Sequence, residues 1–213
     1  MNYADFAPAF VAARAGYDVW MGNSRGSTYS RRHVLLDPDH DKKKFFDYSF
    51  TDMGKYDLPA VTDMIQNRTG HQKVAYIGHS LGTTSMFSAI AKNPDYWKDK
   101  VSLFVALNPL SMFPHTEAHF FHLARHLYDR IVATANLLGM YEVGGSANWF
   151  TEAAKTLGVL NPELLKAFAS LFLYNHPEFD DESRTAVYVG HSPNGASIKT
   201  IKHLAQNMIE ARF

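Results

Sequence analysis

The sequence predicts an α/β fold that is built on a parallel, doubly wound sheet. Apolar runs typical of buried strands alternate with helical patterns, in the order helix–strand–helix–strand–helix–strand as far as residue 111. Beyond Pro114 the period of the apolar residues changes to that of helices. We therefore expect a partial sheet core over residues 1–111, a mainly helical cap or lid over 112–195, and a return helix to the core over 196–213.

Each element is predicted from its periodicity and its end signals. The first helix ends at Gly16, and a later helix begins with Asp57 as N-cap and Pro59 in its first turn. Aromatic residues at 45, 46, 48 and 50 are expected in the core. The predicted elements are helix 6–15, strand 17–21, helix 57–67, strand 74–77, a helix after residue 80, strand 101–107, helices 117–139 and 161–172, strand 184–190 and helix 196–210.

Composition excludes several functions. A chain of 213 residues with 46% hydrophobic content can bury one substantial core. Lys+Arg and Asp+Glu number 21 each, so no general attraction to nucleic acid is expected. The chain has no cysteine, which excludes disulfides, thiolate nucleophiles and cysteine zinc sites. No apolar run is long enough to span a membrane, and Met1–Asp5 do not begin a signal peptide.

A pentapeptide in the middle of the chain predicts a nucleophile. Gly78-His79-Ser80-Leu81-Gly82 fits G-x-S-x-G, follows a β-rich run and precedes an apolar helical pattern. This strand–turn–helix context is that of a nucleophile elbow, in which the serine adopts a sparsely populated backbone conformation. Cβ atoms at both glycines are expected to collide with neighbouring elements. Ser80 is the predicted nucleophile, and the backbone N–H of Leu81 is the predicted oxyanion donor.

Two other segments resemble this motif. Gly22–Gly26 also fits G-x-S-x-G, but polar residues and no apolar helix follow it, so a polar loop is expected. The segment from Gly190 to Asn194 lacks the second glycine and has a proline directly after its serine. Neither is predicted to be catalytic.

The partners of a catalytic serine are not fixed by the sequence. A serine needs a histidine that takes its proton and a carboxylate that orients the histidine. His191 at the end of the predicted strand 184–190, with Asp180 or Asp181 before it, forms one candidate set. His203, inside the last helix, is expected to be a surface or packing residue.

Four histidines share one face of the predicted helix after Pro114. They are spaced four, three and four residues apart, at positions 115, 119, 122 and 126. Imidazoles at such spacing can bind zinc, but the run is not H-E-x-x-H and no carboxylate ligand is obvious. No metal is predicted. Two other interpretations of the stripe remain. It is a polar border beside the apolar stripe, or its histidines become charged together at acidic pH.

Several segments together resemble the acid lipase family, which contains the lysosomal acid, gastric and steryl-ester lipases. These segments are GYDVWMGNSRGSTYS at 16–30, KYDLPA at 55–60, GHSLGTT at 78–84 and VYVGHSPNG at 187–195. The chain departs from the family in having leucine at position 81, where many members carry glutamine. A backbone donor tolerates that difference.

The resemblance implies an α/β-hydrolase core with a helical cap, no cofactor, and hydrolysis of triacylglycerols or steryl esters through an acyl-enzyme on Ser80. It implies that the chain is an internal fragment, with the catalytic acid and histidine beyond Phe213 and the second oxyanion donor before Met1. It suggests that His191 belongs to the cap. It also suggests that the protein makes a transient contact with a lipid interface and is secreted or lysosomal. The alternatives are an inactive lipid-binding remnant and, after it, a metal-binding helical module that uses the histidine stripe.

Overall fold

The computed structural model describes residues 5–111, 119–145, 152–153, 156, 160 and 182–210. The predicted helix 161–172 lies outside these residues. The helices are α1 Pro8–Arg14, α2 Lys42–Phe45, α3 Phe50–Asp52, α4 Leu58–Thr69, α5 Leu81–Lys92, α6 Pro94–Lys100, α7 His119–Leu137, α8 Thr185–His191 and α9 Ile198–Glu210. The strands are β1 Val74–His79, β2 Val101–Leu107, β3 Glu142–Val143 and β4 Ala196–Ser197.

A parallel β–α–β unit forms the centre of the N-terminal half. Strand β1 pairs in parallel with β2, from Val74 opposite Val101 to His79 opposite Leu107, and α5 and α6 connect the two strands. Helical crossovers are the usual connection between parallel strands, because both strands must run in the same direction. The predicted parallel α/β arrangement is therefore confirmed.

One face of the two strands packs against α5. A buried cluster on this side contains Met86, Ala89 and Trp97, and the aromatic rings of Tyr76 and Phe104 pack against it. On the strands, by contrast, the side chains of Ile77 and Leu103 are 56% and 57% exposed. This alternation is what the period of two along a strand produces when the described residues cover one face.

The aromatic residues at 45–50 join the two halves of the described chain. Phe46, Tyr48 and Phe50 are buried, as the sequence predicts. Helix α9 approaches this segment, since Ser197 Oγ donates to the Phe46 carbonyl at 2.6 Å and Thr200 Oγ1 donates to the Tyr48 carbonyl. A further buried cluster joins α9 to α7. The proposed core, cap and return boundaries remain a prediction.

Three predicted local features are wrong. Residues 17–21 form no strand; Tyr17 and Met21 are each 71% exposed, and none of the described strands pairs with them. The run 184–190 ends a short 3₁₀ turn (Glu182–Arg184) and continues as helix α8. Both runs are rich in residues that favour strands. That preference leads to a strand only where a neighbouring strand supplies hydrogen bonds.

The third correction concerns Asp57. A π-helical turn, Met53–Asp57, continues α3 directly into α4, so Asp57 already has helical angles and does not cap. Its carboxylate instead accepts hydrogen bonds from the Arg25 side chain at 2.5 to 3.1 Å. Pro59 does occupy the first turn of α4, and Gly70 ends that helix with a φ of 74°.

Candidate active site

Ser80 lies at the junction of β1 and α5 in a conformation that few residues adopt. The φ of Ser80 is 51° and its ψ is −116°, and the residue is partly exposed. A positive φ is uncommon for a residue with a Cβ, and such strain concentrates at functional sites. The sparsely populated backbone conformation predicted for Ser80 is therefore confirmed.

The strained turn is held from both sides by hydrogen bonds. The Ser80 N–H donates to the carbonyl of Leu107, at the end of β2, at 3.1 Å. The Ser80 carbonyl accepts from the backbone N–H of Thr83 at 2.9 Å and from Thr83 Oγ1 at 2.6 Å. Both peptide groups of Ser80 are thus fixed by neighbouring structure.

Two buried threonines extend this network to the segment after β2. Thr83 Oγ1 accepts the N–H of Leu110 at 3.0 Å, and Thr84 Oγ1 donates to the Leu110 carbonyl at 2.6 Å. Both threonine side chains are fully buried. Buried hydroxyls are normally hydrogen-bonded, so two adjacent threonines near the start of a predicted helix were the available signal. Our sequence reasoning did not assign them a role.

The two glycines of the pentapeptide have different surroundings. A Cβ at Gly78 would lie 2.9 Å from Tyr76 Cε1 and 3.0 Å from the Gly82 carbonyl carbon and the Thr83 nitrogen. The expected collision is therefore confirmed at Gly78. A Cβ at Gly82 would meet only Tyr76 Oη, at the ordinary distance of 3.5 Å, so the prediction is wrong there.

The Tyr76 hydroxyl fixes the first turn of α5. It donates to the Gly82 carbonyl at 3.0 Å. Burial raises the pKa of Tyr76 to about 12, so the hydroxyl keeps its proton and stays a donor. The start of α5 is therefore attached to β1 by a side chain as well as by the chain itself.

Leu81 begins α5, which is 12 residues long. The first four N–H groups of a helix have no intrahelical acceptor, and the positive end of the helix dipole lies there. The Leu81 side chain packs against the cluster of Phe46, Tyr48 and Met53. This packing anchors the start of α5, and the Leu81 N–H directly follows Ser80 in the chain.

His191, with Asp180 or Asp181, was one candidate set of catalytic partners on the expectation that His191 ends a strand. His191 ends helix α8 rather than a strand, its side chain is exposed, and its Nδ1 lies 3.2 Å from the hydroxyl of Tyr29. Asp180 and Asp181 lie outside the described residues.

The other histidines have varied positions. His203 packs, as expected: its ring stacks on Phe50 at 4.2 Å and its Nδ1 lies 3.2 Å from Ser49 Oγ. His119, His122 and His126 fall within α7, but their side chains and all of His115 lie outside the described part of the chain. No group of three potential metal ligands occurs among the residues that are described.

The second G-x-S-x-G segment is a loop, as predicted. Ser24 is exposed and turns rather than a helix follow it. The next residue, Arg25, is paired with Asp57, and its guanidinium lies 5.8 Å from the Tyr48 ring centre and 5.6 Å from that of Tyr56. Gly26 has a φ of 75°, and a Cβ there would overlap Tyr48 Oη. This loop is a structural support.

Comparison with known proteins gives the family. The family model for the alpha/beta hydrolase fold matches residues 2–136. This chain belongs to the α/β-hydrolase fold family. The match covers β1, the elbow, α5 and β2, which are the elements that carry Ser80 in the structure.

The curated relatives of this α/β-hydrolase chain include several lipases. Human lipase member N is 37% identical over 96% of this chain, and mouse gastric triacylglycerol lipase is 40% identical over 96%. Human gastric triacylglycerol lipase is 35% identical over the whole chain. The chain spans about half the length of these relatives, from 50% to 52%. The predicted resemblance to gastric lipases is thus confirmed.

In the described ranges no helix combines the length and the apolar character that crossing a bilayer requires.

Proposed function

We propose that this chain carries the nucleophile of a serine ester hydrolase that acts on neutral lipid esters, either triacylglycerols or steryl esters. The observation that carries the proposal is the strained backbone of Ser80, with a φ of 51°, between a parallel strand and the first turn of a helix. The names of the relatives, which include gastric triacylglycerol lipase, support the lipid ester as substrate.

The reaction follows from the position of Ser80 relative to α5. Ser80 Oγ would attack the ester carbonyl, and the negative oxygen of the tetrahedral intermediate would receive a hydrogen bond from the Leu81 N–H. Collapse of that intermediate releases the alcohol and leaves an acyl-enzyme, which water hydrolyses. Gly78, His79 and Gly82 complete the elbow. No step requires a cofactor.

Ser80 also needs a proton acceptor. A histidine would take the hydroxyl proton and a carboxylate would orient that histidine. Two described histidines already have other side-chain partners, since His191 contacts Tyr29 and His203 contacts Ser49. The proposal therefore assigns the role of base to neither of them.

Labelling with a fluorophosphonate tests the proposal, because this reagent reacts with serines whose hydroxyl is activated. The full-length protein should be labelled, and Ser80→Ala should abolish labelling. Ser24→Ala is the matched control, since Ser24 occupies the same motif position in a loop without a helix behind it. It should be labelled as the wild type is.

The outcomes separate the candidate functions. Labelling that depends on Ser80, together with fatty-acid release from triacylglycerol or steryl ester emulsions, supports the hydrolase. A folded protein with no labelling would indicate the inactive lipid-binding remnant instead. Labelling that survives Ser80→Ala would show that another serine is the nucleophile.

A secreted or lysosomal location belongs to the same proposal. It is supported by the word gastric in the names of two relatives. Fractionation of cells that express the full-length protein tests it, because recovery in the cytosol alone would contradict it.

A further inference from the structure

The two strained residues of the described chain lie side by side. Among the residues that are described, Ser80 and Asn108 are the ones other than glycine that have a positive φ, of 51° and 47°. Strands β1 and β2 pair in parallel as far as His79 opposite Leu107, so each strained residue directly follows the paired end of its strand. Neighbouring strands lie about 5 Å apart, which makes the two backbones direct neighbours at the carboxyl edge of the sheet.

The segment that carries Asn108 is fixed on both sides. Before it, the carbonyl of Leu107 accepts the N–H of Ser80 at 3.1 Å. After it, the N–H and the carbonyl of Leu110 are bonded, at 3.0 and 2.6 Å, to the two buried threonine hydroxyls of α5. Asn108 is therefore held by the same elements that hold Ser80, yet the proposed reaction gives it no role.

A turn alone does not account for this asparagine. Asparagine tolerates a positive φ because its short polar side chain can form a local hydrogen bond. Asn108 is exposed, however, and its carboxamide forms no hydrogen bond within the part of the chain that is described. It also precedes Pro109, and a residue before proline is normally restricted to extended backbone. The strain therefore presents a carboxamide that is available to another group beside Ser80.

The proposed reaction creates two charges at this place, and one of them has a partner on the described elements. The negative oxygen receives the Leu81 N–H, whereas the histidine becomes positive when it takes the serine proton. The segments 78–82 and 107–111, which meet here, contain no aspartate or glutamate. Apart from Ser80, their side-chain oxygens belong to Asn108 and Ser111, and Asn108 is the one that directly follows β2.

We propose that Asn108 is a positioning residue for the base of Ser80, and that its carboxamide oxygen accepts a hydrogen bond from the imidazole N–H that faces away from the serine. The proposal rests on the serine hydrolase proposed above, and Asn108 shares this N–H with the orienting carboxylate. A base must lie within about 3 Å of Ser80 Oγ, so its second nitrogen is within reach of a side chain on the neighbouring strand.

The chemistry of this contact favours the reaction at one step. When Ser80 gives its proton to the near nitrogen, the imidazole becomes a charged donor, and hydrogen bonds from charged donors are stronger than neutral ones. The contact with Asn108 therefore strengthens as the serine becomes a nucleophile. Asparagine already has such a role in Cys-His-Asn proteases, where it follows the histidine as the third group.

Replacing Asn108 by glycine in the full-length protein separates the side chain from the turn. Glycine adopts a positive φ without strain, so the Tm of Asn108→Gly should stay close to that of the wild type. The kcat for p-nitrophenyl butyrate and the rate of fluorophosphonate labelling should both fall about tenfold, the scale of a lost hydrogen bond to a charged group, with KM unchanged. A wild-type kcat and labelling rate in this variant would show that the asparagine serves only the turn, and would overturn the proposal.

Replacing Asn108 by aspartate tests its distance from the base. The variant keeps an acceptor oxygen and adds a negative charge, which stabilises the imidazolium. The acidic limb of the pH profile of kcat/KM should therefore move to higher pH by about one unit, and kcat above that limb should stay near the wild-type value. Asn93→Asp is the matched control, because Asn93 is exposed at the far end of α5, roughly 18 Å along the helix from Ser80, and aspartate can cap α6 in its place. It should leave the limb in place.

The outcomes distinguish this proposal from the hydrolase itself. Equal pH profiles for Asn108→Asp and Asn93→Asp would put Asn108 out of reach of the base and would overturn its role. A loss of kcat in Asn108→Asp as large as in Asn108→Gly would overturn it as well, since it would identify the amide N–H as the group that acts. A wild-type protein that is never labelled at Ser80 would refute both proposals together.

Discussion

Replacing Gly78 by alanine should destabilise the protein, whereas the same change at Gly82 should not. The Cβ at residue 78 would lie 2.9 to 3.0 Å from three atoms, two of which belong to the backbone of α5. Carbon atoms prefer a separation of about 3.5–4.0 Å, so the helix and strand must move apart by roughly half an ångström or more. Overpacking of this kind costs about 1–3 kcal/mol.

Thermal unfolding measures this effect. About 2 kcal/mol corresponds to a fall in Tm of roughly 4–8 °C for a unit of this size. Gly82→Ala is the matched control: its Cβ has one contact, at 3.5 Å, and alanine gains up to about 1 kcal/mol over glycine in a helix. Its Tm should stay the same or rise. A Gly78→Ala variant with the Tm of the wild type, or equal falls for both variants, would refute the steric reasoning.

Two further changes test the supports of the site. Thr83→Val removes the hydroxyl between the Ser80 carbonyl and the Leu110 N–H. Chemical denaturation should show a loss of about 1–3 kcal/mol in the free energy of unfolding, and labelling of Ser80 should slow. An unchanged labelling rate would limit Thr83 to a purely structural role. Burial, and after it the nearby Lys92, lowers the pKa of His203 below its ordinary 6.5, so its contribution to stability is complete above that pH and is lost as the pH falls through the folded-state value. His203→Gln should flatten this part of the stability–pH curve measured by urea unfolding, and identical curves would contradict the assignment.

The elbow could be predicted from the sequence because its determinants are local. Five consecutive residues set the turn, and the apolar pattern before and after them identifies β1 and α5. The strained φ of Ser80 and the crowding at Gly78 follow from that context alone. Helices α1, α4 and α7 are also close to their predicted ranges, since their end signals lie within the helix or beside it.

The wrong predictions concern features that depend on distant residues. Residues 17–21 and 184–190 have the composition of strands, but a strand needs a partner, and composition does not say whether one is near. Asp57 looks like an N-cap in sequence, yet Arg25, 32 positions earlier, takes its carboxylate. The roles of Thr83 and Thr84 were missed for the same reason, because their partner at residue 110 follows a whole strand.

The backbone geometry of Ser80 is therefore a property of a small part of the fold. A backbone conformation with positive φ costs a residue with a side chain about 1–3 kcal/mol. It persists only where several neighbouring contacts hold the backbone in place. At Ser80 these determinants are the Leu107 carbonyl, two donors of Thr83 and the Tyr76 bond to Gly82, all within 74–107. These contacts all come from β1, β2 and α5, so among the described residues the position of Ser80 is held without a histidine. Any histidine that activates Ser80 must then approach a hydroxyl whose place is already fixed.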